Sequence, residues 1–218
     1  MNPPEEAPPT PRMRLLLIRH SESIQNVNSD NVYNAWRGAT TEYRIPSWGE
    51  WASLGQTLMA NPDTDLSVNG LHMITEQNRR LDAIHFLKAN HVDLVLHSPL
   101  IRAKKTCEGL FPEGSRPEGL PVKQHDNIYE QCFSEHLGLY DIHTRVRMFL
   151  QELLQYPPDI KTVVIVAHGG FFRSLLGVTE NMNNCEVRSC VLMSDASVTE
   201  NTLVLQGGRA LLIQPEAN

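Results

Sequence analysis

The chain has no apolar run of membrane-spanning length and no excess of basic charge. Lys and Arg number 19 against 25 Asp and Glu, a net charge of -6, which excludes a general nucleic-acid binder built on a basic face. It does not exclude a local positive cleft, because net charge is silent about focusing. The four cysteines, Cys107, Cys132, Cys185 and Cys190, form neither the paired clusters of a zinc site nor a secreted disulfide scaffold. Buried or partly exposed thiols are expected. Aromatics make only 6%. With 41% apolar and 20% charged residues over 218 positions, one globular domain with a full core is expected.

Residues 1–11 hold five prolines and two acids, with no apolar stretch of the signal-peptide kind. They are expected to form a flexible tail ahead of a single domain over 12–218. The expected location is cytoplasmic, by absence of another address.

Three stretches carry the argument. Leu15–Ile18 is a short unbroken apolar run, suited to a buried strand, and it ends in Arg19-His20. Val92–Leu96, apolar except for Asp93, is a second strand candidate, followed by His97-Ser98-Pro99 and Arg102. Thr162–Ala167 is the third, ending in His168-Gly169-Gly170. Ligands of open α/β sheets bind where strands end. Three strand ends carrying Arg19, His20, Arg102 and His168 predict one cationic crevice.

These blocks resemble the histidine phosphatase superfamily, the group that includes the cofactor-dependent phosphoglycerate mutases. Its opening Arg-His-Gly-Glu, with an Asn four residues on, corresponds to Arg19, His20, Ser21, Glu22 and Asn26. Its Ser-Pro-Leu-x-Arg-Ala is Ser98–Ala103, and its His-Gly-Gly is His168–Gly170. Ser21 departs from the usual glycine, and His97 stands where a small polar residue is usual. The resemblance implies a three-layer α/β/α sandwich around a mostly parallel, mixed sheet.

It also implies roles. Arginine forks meet two phosphate oxygens at once, which suits Arg19 and Arg102. His20 is the expected nucleophile, forming a phosphohistidine, with a backbone carbonyl fixing its tautomer. His168 is expected to stay protonated and contact a transferring oxygen, and Gly169 to let backbone approach phosphate. Asn26 is a further phosphate candidate, against a plain helix residue. Glu130 is the expected acid and base, with Glu135 as rival. No metal or other cofactor is expected.

Residues 30–64 read as an insertion. All three tryptophans lie there, Trp36, Trp48 and Trp51, with Tyr33, Tyr43, Arg37 and Arg44. Gly38, Pro46, Gly49, Gly55 and Pro62 are expected to break the stretch into short pieces, with a helix over 50–60. It can be a lid whose Trp36, Arg37 and Arg44 set substrate choice, or a small satellite core. A long helix is expected after Asp65–Gly70 and others over 100–109, 141–154 and 171–176. A weak edge strand is expected over 122–129, and further strands over 188–193, 201–206 and 210–213, the last two joined by Gly207-Gly208.

Three functions follow. The first is a phosphomonoesterase acting on a small phosphorylated metabolite or phosphoprotein. The second is mutase-type phosphoryl transfer. The third is a non-catalytic phosphate-binding scaffold. Only 38 residues separate Glu130 from His168, and a helix fills much of that span, which leaves little for a mutase-type lid. The expected partner is a phosphorylated small molecule, with no nucleic acid and no membrane; a homodimer is left open.

Overall fold

A computed structural model describes residues 8–41, 43–59, 63–83, 85–130 and 141–201. Six strands form one mixed sheet in the order β3-β2-β4-β1-β5-β6. They are β1 (Pro11–Arg19), β2 (Leu94–His97), β3 (Val122–Gln124), β4 (Thr162–Ala167), β5 (Val187–Met193) and β6 (Val198–Asn201). β3, β2, β4 and β1 run parallel; β5 is antiparallel to β1, and β6 to β5.

The apolar runs are continuous because both sheet faces are covered. Leu15 and Leu17 of β1 point to one face and Leu16 and Ile18 to the other, as the strand period demands. The first face packs on helices Ile142–Leu154 and Gly169–Leu176 through Val146, Phe149, Leu150, Phe171 and Phe172. The second packs on helices Val68–Ala83 and Ile101–Leu110 through Ile74, Leu81, Cys107 and Leu110. This is the expected three-layer sandwich. In chain order the helices are α1 (Ile24–Thr41), α2 (Trp48–Met59), α3 (Val68–Ala83), α4 (Phe86–Ala89), α5 (Ile101–Leu110), α6 (Ile142–Leu154) and α7 (Gly169–Leu176).

Serines start the first three helices. The Ser23 hydroxyl accepts from the Asn26 N–H, and the Asn26 side-chain oxygen accepts from the Ser23 N–H at 3.1 Å. This is a reciprocal capping box. Ser47 and Glu50 repeat it ahead of α2. The Ser67 hydroxyl accepts from Gly70 N–H ahead of α3. These caps explain why the stretch expected to be fragmented instead forms two helices. Gly38 lies inside an 18-residue α1, and Gly49 and Gly55 lie inside α2. The residue cost of each glycine, about 1 kcal/mol, is smaller than the cap and packing terms that oppose it. α1 and α2 lean on each other. Trp36 stacks edge-on to Trp51 at 4.5 Å, its indole N–H reaches the Glu50 carbonyl, and Arg44 grips Glu50 with two 2.7 Å bonds.

Other boundaries also moved. The weak strand is only Val122–Gln124, at the sheet edge. It stops because His125 Nδ1 accepts from Asn127 N–H and turns the chain into a short 3₁₀ helix, Asp126–Ile128. Pro99 precedes α5 rather than sitting in its first turn. β6 begins at Val198, earlier than expected; the rest of the strand expected over 201–206, the Gly207-Gly208 turn and the strand over 210–213 lie outside the described residues. Pro11 opens β1, and Thr10 is tied to Ser194 on both its N–H and its carbonyl.

Candidate active site

The parallel registers of β1, β4 and β2 set the site. Arg19 pairs with Ala167, and His97 with Val166, so the three strands end level. His20 N–H then bonds the Ala167 carbonyl at 2.9 Å, and Ser98 N–H bonds the Val166 carbonyl at 3.0 Å. Each strand therefore delivers its polar residue at one crevice. His20, Ser98, Arg102 and His168 are all buried.

His20 is held by its own chain. Nδ1 lies 2.6 Å from the Ser21 carbonyl, which can only accept, so Nδ1 carries the proton. Nε2 is left with its lone pair and accepts from the Arg102 Nε–H at 3.3 Å. Burial, then the charge of Arg102, hold the imidazole neutral, with its pKa lowered to about 3. This is the tautomer a nucleophile needs, fixed by a backbone carbonyl.

His168 faces His20 with ring centroids 5.0 Å apart. Its Nε2 lies 2.7 Å from the Ser98 hydroxyl. Its Nδ1 makes no hydrogen bond among the described residues and looks toward a Glu130 carboxylate oxygen 3.8 Å away. Burial, then the neighbouring His20 and the arginines, lower its pKa well below the usual value, so without an anion beside it the imidazole is neutral near pH 7. A dianion bound between the two rings would favour the imidazolium.

Glu130 is partly buried and anchored at the first turn of α7, where its Oε1 accepts from Gly170 N–H at 3.1 Å. Its chain is fixed from α6: Arg145 donates to the carbonyls of Asn127 and Tyr129 and stacks 3.8 Å over the Tyr129 ring. The rival Glu135 lies outside the described residues.

Arg19 is wrapped by residues 181–186. Its guanidinium donates to the Met182 carbonyl, and its backbone bonds Cys185 and Glu186. Its Nε is buried and without a hydrogen-bond partner in the protein. A Cβ on Gly169 would lie 3.1 Å from the Asn181 side-chain oxygen and 3.4 Å from Arg19 Nε, so the missing side chain lets these groups close in. Burial lowers the pKa of both Arg19 and Arg102, and the Glu130 charge opposes that in both.

The sequence-predicted residues His20, His168, Glu130, Arg19, Arg102 and Gly169 thus gather. Asn26 has its side-chain oxygen in the α1 cap, and Trp36 and Arg44 have their partners inside the α1–α2 unit, while Arg37 is exposed on α1. Sequence reasoning missed the Ser98–His168 bond, Arg145 as a support, and the 181–186 wrap. Ser98 lay within a quoted block, but the wrap has no pattern of its own.

His20, Glu130 and His168 bring ligand-type atoms within 4.8 Å of one another, a donor set a dication can use. The flanking guanidiniums of Arg19 and Arg102 oppose a cation and favour an anion. The buried Arg19 Nε–H is a donor of the kind an anion's oxygen takes. A cavity of about 250 Å³ lies elsewhere, lined by Asn78, Phe86, Phe111 and Arg116 among others, and contains none of the crevice residues.

The two neutral histidines make stability pH-dependent. Unfolded histidine titrates near 6.5, so below that pH the unfolded chain binds more protons than the folded one. Their contribution is complete above about pH 6.5 and is lost as pH falls toward the folded value of about 3 for His20. The slope is about 1.4 kcal/mol per pH unit for each histidine. Denaturant melts between pH 7.5 and 5 should show it, and His20→Asn should flatten it by about one proton. An identical slope in the variant contradicts the assignment.

No protein-family model matches the chain, and no curated protein matches it. Solved structures do. A phosphoglycerate mutase from Bacillus anthracis aligns with TM-score 0.58 at 16% identity, over 87% of this chain and 92% of its own. A putative α-ribazole-5'-P phosphatase from Escherichia coli aligns with TM-score 0.57 at 19% identity, over 92% of this chain and 100% of its own. A mycobacterial glucosyl-3-phosphoglycerate phosphatase aligns with TM-score 0.56 at 16% identity, over 87% and 97%. The chain has the phosphoglycerate mutase-like fold of these structures, and its own arginine-histidine crevice lies at the strand ends.

Proposed function

We propose that this chain is a metal-independent phosphomonoesterase of the histidine phosphatase superfamily that passes the phosphoryl group through His20. The observation that carries the reading is the neutral His20, with its proton on Nδ1 and its Nε2 lone pair beside a buried guanidinium. Arg19 and Arg102 hold the phosphate oxygens. Nε2 attacks phosphorus, the P–O bond to the alcohol breaks, and charge on the equatorial oxygens meets the two forks and His168. Glu130 protonates the leaving alkoxide. It then takes a proton from the water that attacks the phosphohistidine, releasing phosphate and restoring the ring. One carboxyl group serves both steps because they run in opposite directions.

The substrate class is a small phosphorylated metabolite or phosphoprotein. Two of the like-folded proteins named above are phosphatases and one a mutase. The short span between Glu130 and His168 supports hydrolysis over mutase chemistry, and stimulation by a bisphosphoglycerate primer would reverse that order. The presence of all four of Arg19, His20, Arg102 and His168 speaks against a non-catalytic scaffold. Among the described residues no helix is long and apolar enough to cross a membrane.

Glu130→Gln is the test of the acid. Its kcat/KM, which reports phosphoryl transfer to His20, should fall roughly 10²–10³-fold with alkyl phosphates and far less with nitrophenyl phosphate, whose leaving group needs no proton. Glu135→Gln should leave both rates near wild type. The opposite pattern transfers the role to Glu135.

A further inference from the structure

Ser21, which stands where the resembled family has glycine, makes two bonds that the mechanism has not used, besides the carbonyl bond to His20. Its hydroxyl donates to the Gly70 carbonyl at 2.7 Å. Its N–H donates to the Thr106 hydroxyl at 3.0 Å, and that hydroxyl donates to the Arg102 carbonyl at 2.6 Å. Its carbonyl accepts the His20 Nδ1 proton. Ser21 is wholly buried, and its hydroxyl also interacts with the buried Cys185 thiol.

The partners are themselves immobilised. Gly70 lies in the first turn of α3, and a Cβ there would sit 2.1 Å from the Glu22 carbonyl oxygen, so chain and helix are in direct backbone contact. The Glu22 carbonyl accepts from Ser67 N–H at 3.0 Å, and its carboxylate accepts from the Ser67 hydroxyl and from Asn69. Ser23 bridges to Leu66, and Ile24 N–H bonds the Asp65 carbonyl. The stretch Asp65–Gly70 is thus the dock for the segment that follows the nucleophile.

We propose that Ser21 is a positioning residue: its hydroxyl on Gly70 and its N–H on Thr106 pin the residue on both sides of its Cα, and so place the carbonyl that selects the His20 tautomer. A carbonyl free to swing by 1 Å would let the ring rotate or exchange its proton between nitrogens, and misplacement of that size reduces rate strongly. The lock joins α3 and α5, so the ring that attacks and the helix that carries Arg102 are set by the same three atoms. A glycine at 21 would leave the residue held by its N–H bond to Thr106 without the hydroxyl bond to Gly70. The inference rests on the phosphatase reading for its kinetic consequence but not for its structural one.

The test reads the ring directly. Long-range ¹H–¹⁵N correlation spectra of the full chain, with the His20 ring assigned by the His20→Asn variant, should report a single Nδ1–H tautomer in the wild type. Ser21→Ala, and separately Thr106→Val, should give a mixed or exchanging signal, with kcat on aryl phosphate down about tenfold and KM within about twofold. Thr106→Ser, which keeps the acceptor, should restore the wild-type spectrum. A pure Nδ1–H signal in Ser21→Ala overturns the proposal whatever the rate does. A mixed signal in that variant, with no turnover by the wild type on any phosphate ester, keeps the positioning role and removes the phosphatase reading.

Discussion

His20→Asn should abolish phosphatase turnover, lowering kcat by at least about 10⁴-fold while the protein stays folded. Asparagine is close to histidine in size, and its amide can still donate to the Ser21 carbonyl that now holds Nδ1. What it lacks is a ring nitrogen with a lone pair at the point where Arg102 aims. The loss is therefore a loss of chemistry, and KM or product affinity should change little. The buried site also predicts the stability change. Removing an imidazole whose charged form burial disfavours takes away an acid-labile group, so the variant should resist mild acid at least as well as wild type. A variant that kept one per cent of the wild-type rate would place the nucleophile elsewhere.

Arg102→Met should lower kcat/KM about 10³-fold, and Arg102→Lys about 10²-fold. The guanidinium is 3% exposed and touches the nucleophile, so it can hold phosphate and tune His20 together. Lysine keeps the charge but loses the fork that meets two oxygens. Stability should move differently. Burial lowers the Arg102 pKa, and the charges of Glu130 and Asp63 oppose that, so a methionine of similar length removes a burial cost and two attractions together. Activity should collapse while the melting temperature moves little. Parallel loss of both would mean that Arg102 is a structural ion partner rather than a phosphate ligand.

The crevice was legible because each strand announces its own end. Leu15–Ile18, Leu94–Leu96 and Val163–Ala167 are apolar on both faces, and each is followed at once by a polar residue. Parallel register then does the rest, since it brings Arg19 level with Ala167 and His97 level with Val166. The α1–α2 pair was misread for an opposite reason. Its glycines were read as breaks, but helix ends are decided by caps, and Ser23-Asn26 and Ser47-Glu50 supply them. The same cap gives Asn26 a role that does not require phosphate. The wrap of residues 181–186 around Arg19 had no local signature, because it depends on a long-range carbonyl contact. The protonation state of His168 depends on desolvation and on a bound anion, neither of which the residue type shows.

Departures from a family pattern carried more information than their size suggests. Ser21 looked like a small steric change beside the nucleophile. In the fold its hydroxyl reaches Gly70, and its N–H reaches the helix of Arg102 through Thr106. His97, the other departure, has Nδ1 on the Ser98 carbonyl at 2.9 Å.

The most direct test of the account is a rapid quench of the wild-type chain turning over a ³²P-labelled phosphate monoester in EDTA, followed by peptide mapping. The account predicts label on the peptide that contains His20, stable to base and lost in acid, as a phosphoramidate should be. Turnover with no label at His20, or label that survives acid at another residue, would contradict it.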